Sequence, residues 1–337
     1  MIRLTEAGLF CEAGGFHIDP WRPVDRAVVT HAHGDHLTWG CRHHLVSEEG
    51  ARVSRARLGE AASIQAIPYG EAVHLNGVRV SLHPAGHILG SAQVRVEHNG
   101  EVWVVTGDYK TEPDATCSPF DLVRCHTFVT ESTFGLPIYR WEPQAVIFDA
   151  VNRWWRKNQE AGRASLLFGY SLGKAQRLLA GVDPSIGPIY THGAVERLNR
   201  EYRATGIPLP ETQHVAAIAA VEKPDWSRAL VVAPPSARGT PWTRKFGSIS
   251  TGFASGWMRI RGARRQRSVD RGFALSDHVD WPALTGTIAA TGAERVWVTH
   301  GYTATVVRWL EEQGIDAHIV PTRFSDERDD AGDDVVE

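Results

Sequence analysis

The apolar positions of this chain change rhythm twice. Up to about residue 136 they fall in short runs broken by turns. "RAVVT" (26–30) reads as a strand that delivers a histidine cluster, and "VRVSLHPAGH" (78–87) as a strand followed by a loop carrying His87. "AQVRVEHNGEVWVVTGDY" (92–109) reads as a hairpin turning at "HNGE", with Asp108 just past its second strand, and "TFVTEST" (127–133) as a strand ending at Glu131. The middle of the chain alternates longer elements. A helix is predicted over roughly 143–160 with Pro143 in its first turn, then a strand at "SLLFGY" (165–170) and a helix over 171–182 with Ser171 as its N-cap. "PIYTHG", "AVERLNREYRATG" and "ALVVAPP" continue as strand, helix and strand. Such alternation implies a parallel sheet covered by helices. From "GFALSDHVDW" (272–281), through a helix near 281–291 to "RVWVTHGY" (295–302), the first rhythm returns.

The pattern therefore predicts an α/β protein in two parts. One domain is assembled from 1–136 and 273–325, and a second, 137–272, is inserted into it. The last residues, 326–337, are acidic and are expected to form a disordered tail. A length of 337 residues agrees with two structural units rather than one core.

Composition narrows the setting. The hydrophobic set is 42% and charged residues 22%, as in an ordinary soluble domain. No apolar run approaches the roughly 20 residues of a membrane span, and "MIRLTEAGLFCEAGG" has no signal-peptide core. A cytoplasmic protein with no membrane partner is expected. Cys11, Cys41, Cys117 and Cys125 have no CxxC spacing, which argues against a zinc ribbon or a thioredoxin-type site. The formal net charge of −3 means that a polyanion would have to be held by local basic patches.

The chemistry is concentrated in "HAHGDH". His31 and His33 alternate, so on an extended segment their rings point the same way. Asp35 and His36 follow in a turn and can face a second position, an arrangement suited to two adjacent metals. Imidazole with carboxylate fits Zn²⁺, with Mn²⁺ or Fe²⁺ as alternatives. His87, Asp108 and His300 each follow a strand-like run in a loop bearing glycine, and are the residues suited to complete two sites.

This ordered set resembles the metallo-β-lactamase superfamily. The resemblance implies an αββα sandwich whose first metal takes His31, His33 and His87, whose second takes Asp35, His36 and His300, and whose Asp108 bridges them. Asp19 in "FHIDP" matches an early aspartate that orients a ligand histidine. The long gap between Asp108 and His300, flanked by "ESTFG" (131–135) and "LSDHVDW" (275–281), resembles the β-CASP branch, whose known members cut nucleic acids. There the acidic residue of the first motif pairs with the histidine of the second, here Glu131 and His278. "CEAGGFHIDPWRPVDRAVVTHAHGDH" and "GWMRIRGARRQRSVDRGFALSDHVDW" look like signatures of the bacterial ligase-associated DNA exonucleases. That likeness implies a functional link to a DNA ligase.

The expected reaction is phosphodiester hydrolysis. Two metals activate a water and clamp phosphate oxygens, Asp35 is one of the catalytic ligands, and His278, held by Glu131, protonates the leaving oxygen. A polyanion also needs a track. The arginines of "RIRGARRQRSVDR" (259–271), with Arg264, Arg265 and Arg267 at their centre, suit phosphates. Lys174 in "SLGKAQ", and Ser236 with Arg238 in "PPSARG", are further phosphate candidates at strand-to-helix turns. His192 is expected to be structural. An RNA-processing nuclease is the alternative, favoured by His300, since RNA-cutting relatives carry histidine there. A thioester or lactam hydrolase is disfavoured by the arginine run and the Glu131–His278 pair. A non-catalytic binding module would be expected to have lost ligands, and every ligand position here is filled.

Overall fold

In strand β10 (Glu101–Val105), Val102 and Val104 point to one side, Trp103 and Val105 to the other, and each pair enters a different core. That period of two makes the strand a shared wall between two layers. The computed structural model describes residues 1–220, 224–260 and 269–323. It divides into two compact units, one of Met1–Arg140 with the described residues from His278 on, the other of Trp141–Asp277.

In the first unit, one sheet lays β1 (Ile2–Thr5), β2 (Gly8–Cys11), β3 (Phe16–Ile18), β4 (Arg26–Val28), β5 (His43–Ser47) and β6 (Ile64–Ile67) side by side in chain order. The other has the order β19 (Asp316–Ile319), β18 (Arg295–Thr299), β11 (Thr127–Glu131), β10, β9 (Ala92–His98), β8 (Val78–Pro84) and β7 (Ala72–Leu75). One apolar core joins Phe16, Ile18, Val28 and Leu45 of the first sheet to Val80, Leu82, Val94, Trp103 and Val105 of the second. Each such side chain contributes roughly 1.5–3 kcal/mol on burial. The outer face of the second sheet packs on α6 (Trp281–Thr291) and α7 (Thr303–Glu312) through Leu284, Ile288, Val306 and Leu310. Helix α1 (Ala51–Leu58) packs beside β5 and β6. The layers are therefore helix, sheet, sheet, helix. Trp103 of β10 and Trp297 of β18 meet edge to face at 4.9 Å.

The hairpin expected over 92–109 is present, with His98 opposite Glu101. Strands β10, β11, β18 and β19 run parallel. Two consecutive antiparallel pairings make β8 point the same way as β10. The carboxyl ends of β8, β10, β11 and β18 therefore share one edge of the sheet.

The second unit is a parallel sheet of order β14 (Gln213–His214), β13 (Ile189–Thr191), β15 (Leu230–Ala233), β12 (Ala164–Phe168), β16 (Ile249–Ala254) and β17 (Arg271–Phe273). Leu167, Leu230 and Val232 face α2 (Gln144–Glu160), α3 (Lys174–Gly181) and α4 (Gly193–Ala204), while Leu166, Phe168 and Val231 pack against Val215 of the short helix α5 (Val215–Ala219) and Phe246. Burial on both faces is what a parallel sheet requires. Two helix starts differ from expectation. Pro143 keeps extended backbone (ψ 135°) and precedes α2 as its N-cap instead of entering the first turn. Helix α3 begins at Lys174, because Gly173 takes a positive φ of 85° and its N–H donates to Gln176 Oε1 at 2.8 Å. Ser171 is thereby displaced as cap.

Candidate metal centre

Each chemically active side chain of the first unit follows the carboxyl end of a strand. Asp19 follows β3, the 31–36 cluster follows β4, His87 follows β8, Asp108 follows β10, and His300 follows β18, while Glu131 is the last residue of β11. Strand ends of both sheets deliver these residues to one place, so side chains more than two hundred positions apart meet. His31, His33, His87 and Asp108 form one group able to hold a metal, Asp35, His36 and His300 a second, and Asp108, Glu131 and His278 a third. All seven ligand positions expected from the sequence fall in the first two groups.

One oxygen, Oδ2 of Asp108, joins these groups. It lies 3.5 Å from His31 Nε2, 3.6 Å from His36 Nε2, 3.7 Å from His87 Nε2 and 3.9 Å from His278 Nδ1. His33 Nδ1 is 3.0 Å from His31 Nε2 and 3.1 Å from His87 Nε2. These spacings approach the ligand separation of a tetrahedral zinc site, roughly 3.4 Å for bonds of about 2.1 Å.

Hydrogen bonds at the far side of each ring decide which nitrogen faces inward. Asp19 Oδ1 accepts the Thr30 N–H at 2.8 Å, and its Oδ2 accepts the Thr30 hydroxyl at 2.6 Å. His36 Nδ1–H donates to the same Oδ2 at 2.7 Å. The Thr30 oxygen, its proton committed to Asp19, accepts from His31 Nδ1–H at 3.1 Å. Both rings are thus oriented with Nε2 toward the centre, and the carboxylates of Asp35, Asp108 and Asp19 raise the His36 imidazole well above its usual range against the pull of burial. His36 Nε2 is buried and has no hydrogen-bond partner. Thr30 was missed in the sequence, although it stands between the delivering strand and the first ligand.

The electrostatics are those of a site built around positive charge. Asp19, Asp35, Asp108 and Glu131 are buried or nearly so, and among the described residues no lysine or arginine forms an ion pair with any of them. Burial, reinforced by the neighbouring Glu131, pushes the Asp108 carboxyl up to about 8. Burial and the crowding of His36, His33 and His87 hold His31 well below the usual imidazole range, in the neutral form a metal needs. Burial and His36 likewise lower His300 to about 4. Burial resists ionisation of Asp35, yet His36 and His300 still hold its carboxyl below the usual range. The donor set, the unpartnered His36 nitrogen and the unbalanced carboxylates all fit divalent cations.

Backbone conformation adds a signal that composition conceals. Among the described residues, four that are not glycine have positive φ. Asn76 and Asn99 are turn asparagines, but Asp19 (φ 43°) and His300 (φ 52°) belong to the site. Gly107 (φ 56°) lets the Asp108 loop pass against Thr30, where a Cβ would collide with that side chain.

Beside Asp108 stands the other expected pair. His278 Nδ1 is 2.9 Å from Glu131 Oε2 and 3.1 Å from Oε1, and Glu131 Oε1 also accepts the Tyr109 N–H at 2.8 Å. A carboxylate only accepts, so His278 carries a proton on Nδ1 there. Burial opposes ionisation of Glu131, but His278 and hydrogen bonds from Thr133 and the Tyr109 amide hold its carboxyl below the usual range.

The phosphate candidates of the second unit fare differently. Lys174 is 3% exposed, and its ammonium is spent on Leu275 O (2.9 Å) and Asp277 Oδ2 (2.9 Å), so it lines no open surface. Arg177 completes this network, with Nε 3.2 Å from Asp277 Oδ1 and Nη1 donating to Ser276 O at 3.1 Å. Ser236 is exposed on a short 3-10 turn after β15, and Arg238 follows it with its Nη1 buried and without a hydrogen-bond partner. Arg264, Arg265 and Arg267 lie outside the described residues. His192 serves as the N-cap of α4, its Nδ1 accepting from Ala194 N at 3.2 Å.

No family model matches the chain. Among curated proteins it is similar to a probable DNA ligase of Opitutus terrae, 32% identical over 92% of this chain and 30% of that protein. It is also similar to the endoribonuclease ysh1 of Aspergillus fumigatus, 30% identical over 36% of this chain and 14% of that protein. The endoribonuclease YSH1 of Eremothecium gossypii is 26% identical over 48% of this chain and 20% of that protein. The chain thus spans less than a third of the length of these relatives. Among solved structures, a protein of unknown function from Enterococcus faecalis V583 shares the fold, with a TM-score of 0.58 and 11% identity over 88% of this chain and 79% of that one. No described helix is long and apolar enough to cross a membrane. In chain order an α/β unit falls between Asp108 and His300 of a two-sheet domain, and together with these relatives this supports a relationship to the β-CASP branch of the metallo-β-lactamase superfamily.

Proposed function

We propose that this chain is a two-metal phosphodiesterase that removes nucleotides from the ends of DNA in repair or end processing. The observation that carries the reading is the single Asp108 oxygen facing both histidine groups, with the His278–Glu131 pair beside it. His31, His33, His87 and Asp108 would hold one metal, and Asp35, His36, His300 and Asp108 the other, zinc being the ion that best suits the donors and manganese the alternative. Bound there, the pair would supply an activated water and neutralise phosphate oxygens.

The chain's own residues supply the remainder. Asp19 and Thr30 orient His31 and His36 with Nε2 toward the centre. Glu131 fixes the His278 ring through Nδ1, so the opposite nitrogen is the one able to give a proton to a departing sugar oxygen. DNA is favoured because the relative matched along nearly the whole chain is named a DNA ligase, which also supports a functional link between this activity and strand joining. RNA cleavage is the second reading, supported by the endoribonuclease relatives and by His300.

One assay separates these. Metal-loaded protein is incubated with end-labelled single-stranded DNA, duplex DNA and RNA, beside an Asp35→Ala/His36→Ala double variant. Progressive shortening of DNA from an end is expected. Internal cuts confined to RNA would select the second reading, and equal cleavage by the double variant would overturn the two-metal mechanism.

A further inference from the structure

The second unit contains a cavity of about 370 Å³ that involves none of the metal-ligating side chains. It lies at the amino-terminal edge of the parallel sheet. Arg163 immediately precedes β12, Ser250 begins β16 with Ile249, and Arg271 opens β17. The loops bearing Ser171, His192 and Ser236 leave the opposite, carboxyl ends of their strands, so this cavity is not the turn region already considered for phosphate.

Its lining is basic. Arg153 and Lys157 come from α2, one turn apart, and Arg163 and Arg271 from the sheet edge, against a single carboxylate, Asp270. Asp270 is already engaged: it accepts the Thr251 N–H at 2.7 Å and the Thr251 hydroxyl at 3.1 Å, and stands 3.8 Å from Arg163. Arg163 in turn donates from Nε and Nη2 to Ile249 O at 3.1 and 2.6 Å. Arg153, Lys157 and Arg271 are exposed, and among the described residues none of them has a carboxylate partner. Arg156, on the same helix, does pair, with Asp183 at 2.8 Å. Like charges one helical turn apart repel, so the Arg153–Lys157 spacing is unfavourable until an anion arrives. Trp154, half-buried and held by Nε1 to Ser250 Oγ at 3.1 Å, gives the cavity a flat aromatic wall. The volume lies in the roughly 300–1,000 Å³ range of ligand sites.

We propose that this cavity anchors the phosphodiester backbone of a nucleic-acid strand, Arg153, Lys157 and Arg271 binding phosphate oxygens and Trp154 offering a face to a sugar or base. The proposal rests on the nucleic-acid reading above and gives it a second point of contact. Guanidinium forks and an ammonium answer phosphate charge, and aromatic faces accept bases of any sequence.

The test measures fluorescence anisotropy of a long, fluorescein-labelled, phosphorothioate-linked single strand across a salt series, with competition by inorganic phosphate. Wild type is compared with Arg153→Ala/Lys157→Ala/Arg271→Ala, with Lys157→Ala alone, and with Arg153→Lys/Arg271→Lys. The triple variant is expected to lose at least about tenfold in affinity, and its log K against log salt slope to shrink by about 2, since each phosphate contact on a single strand contributes roughly 0.7. Lys157→Ala, the gentlest change, is expected to shrink the slope by roughly a third of that, and the double lysine variant to retain the wild-type slope. A triple variant that matches wild type in affinity and slope overturns the proposal alone. Wild-type protein that binds no strand overturns the nucleic-acid reading with it. Phosphate competition lost in the triple variant while its strand binding stays intact would make this a free-anion site and also overturn the proposal.

Discussion

Two buried charge clusters in this molecule are built on opposite principles. In the second unit Lys174, Arg177 and Asp277 answer one another, and their remaining donors meet the carbonyls of Leu275 and Ser276. In the first unit Asp19, Asp35, Asp108 and Glu131 gather around histidines, with no lysine or arginine paired to any of them among the described residues. The first cluster sets two permanent cations around one carboxylate, with Arg177 Nε 3.2 Å from Asp277 Oδ1. In the second, the partners of the four carboxylates among the described residues are histidines, with His36 Nδ1 2.7 Å from Asp19 Oδ2 and His36 Nε2 3.3 Å from Asp35 Oδ2. Burying charge costs several kcal/mol per ion, so an excess of buried carboxylate over permanent cation fits a site that divalent ions complete. Exposure alone would not tell the clusters apart, since both are buried; the presence or absence of a permanently charged cation does.

The contrast can be broken most severely by removing ligands. The Asp35→Ala/His36→Ala variant is expected to bind at least one metal fewer per chain by elemental analysis and to cleave at background rate. His278→Ala is expected to slow turnover by about 10²- to 10⁴-fold while metal content stays at the wild-type level; loss of metal in that variant would make His278 a ligand. In the complete cluster the effect is on stability. Asp277→Ala removes the carboxylate paired with the buried Lys174 and Arg177 and should lower unfolding free energy by about 3–5 kcal/mol in denaturant titrations. Chelation sharpens the same point: stripping divalent ions should lower Tm in wild type, because a ligand that binds only the native state stabilises it. The downward shift should persist in Asp277→Ala and shrink in the Asp35→Ala/His36→Ala variant. The smallest effect expected is that of Asp19→Ala, which removes the group orienting His36 and should weaken metal affinity by about 10- to 100-fold without abolishing binding.

Much of this was legible in the chain. Apolar strands followed by histidine or aspartate in glycine-bearing loops pointed to the side chains that cluster in the fold, and alternating strand and helix patterns in the middle gave the parallel sheet. The helix α1 was not legible, because Arg52, Arg55 and Arg57 dilute its apolar positions and only Val53, Ser54 and Leu58 are buried. Lys174 read as a phosphate ligand because a lysine after glycine at a strand-to-helix turn is the same in sequence whether it faces solvent or the interior. Its burial against Asp277, a hundred residues away, is a tertiary fact.

What the sequence determined by itself is the local part: which segments alternate, which loops carry donors, and that two histidines spaced by one residue share a face. Those follow from the periods of strand and helix, which are properties of neighbouring residues. Only the tertiary structure decided that the ends of β8, β10, β11 and β18 share one edge, that one Asp108 oxygen faces both ligand groups, and that Thr30 and Asp19 orient the histidine rings. Convergence of that kind depends on sheet order and strand direction, which are fixed by contacts between residues far apart in the chain.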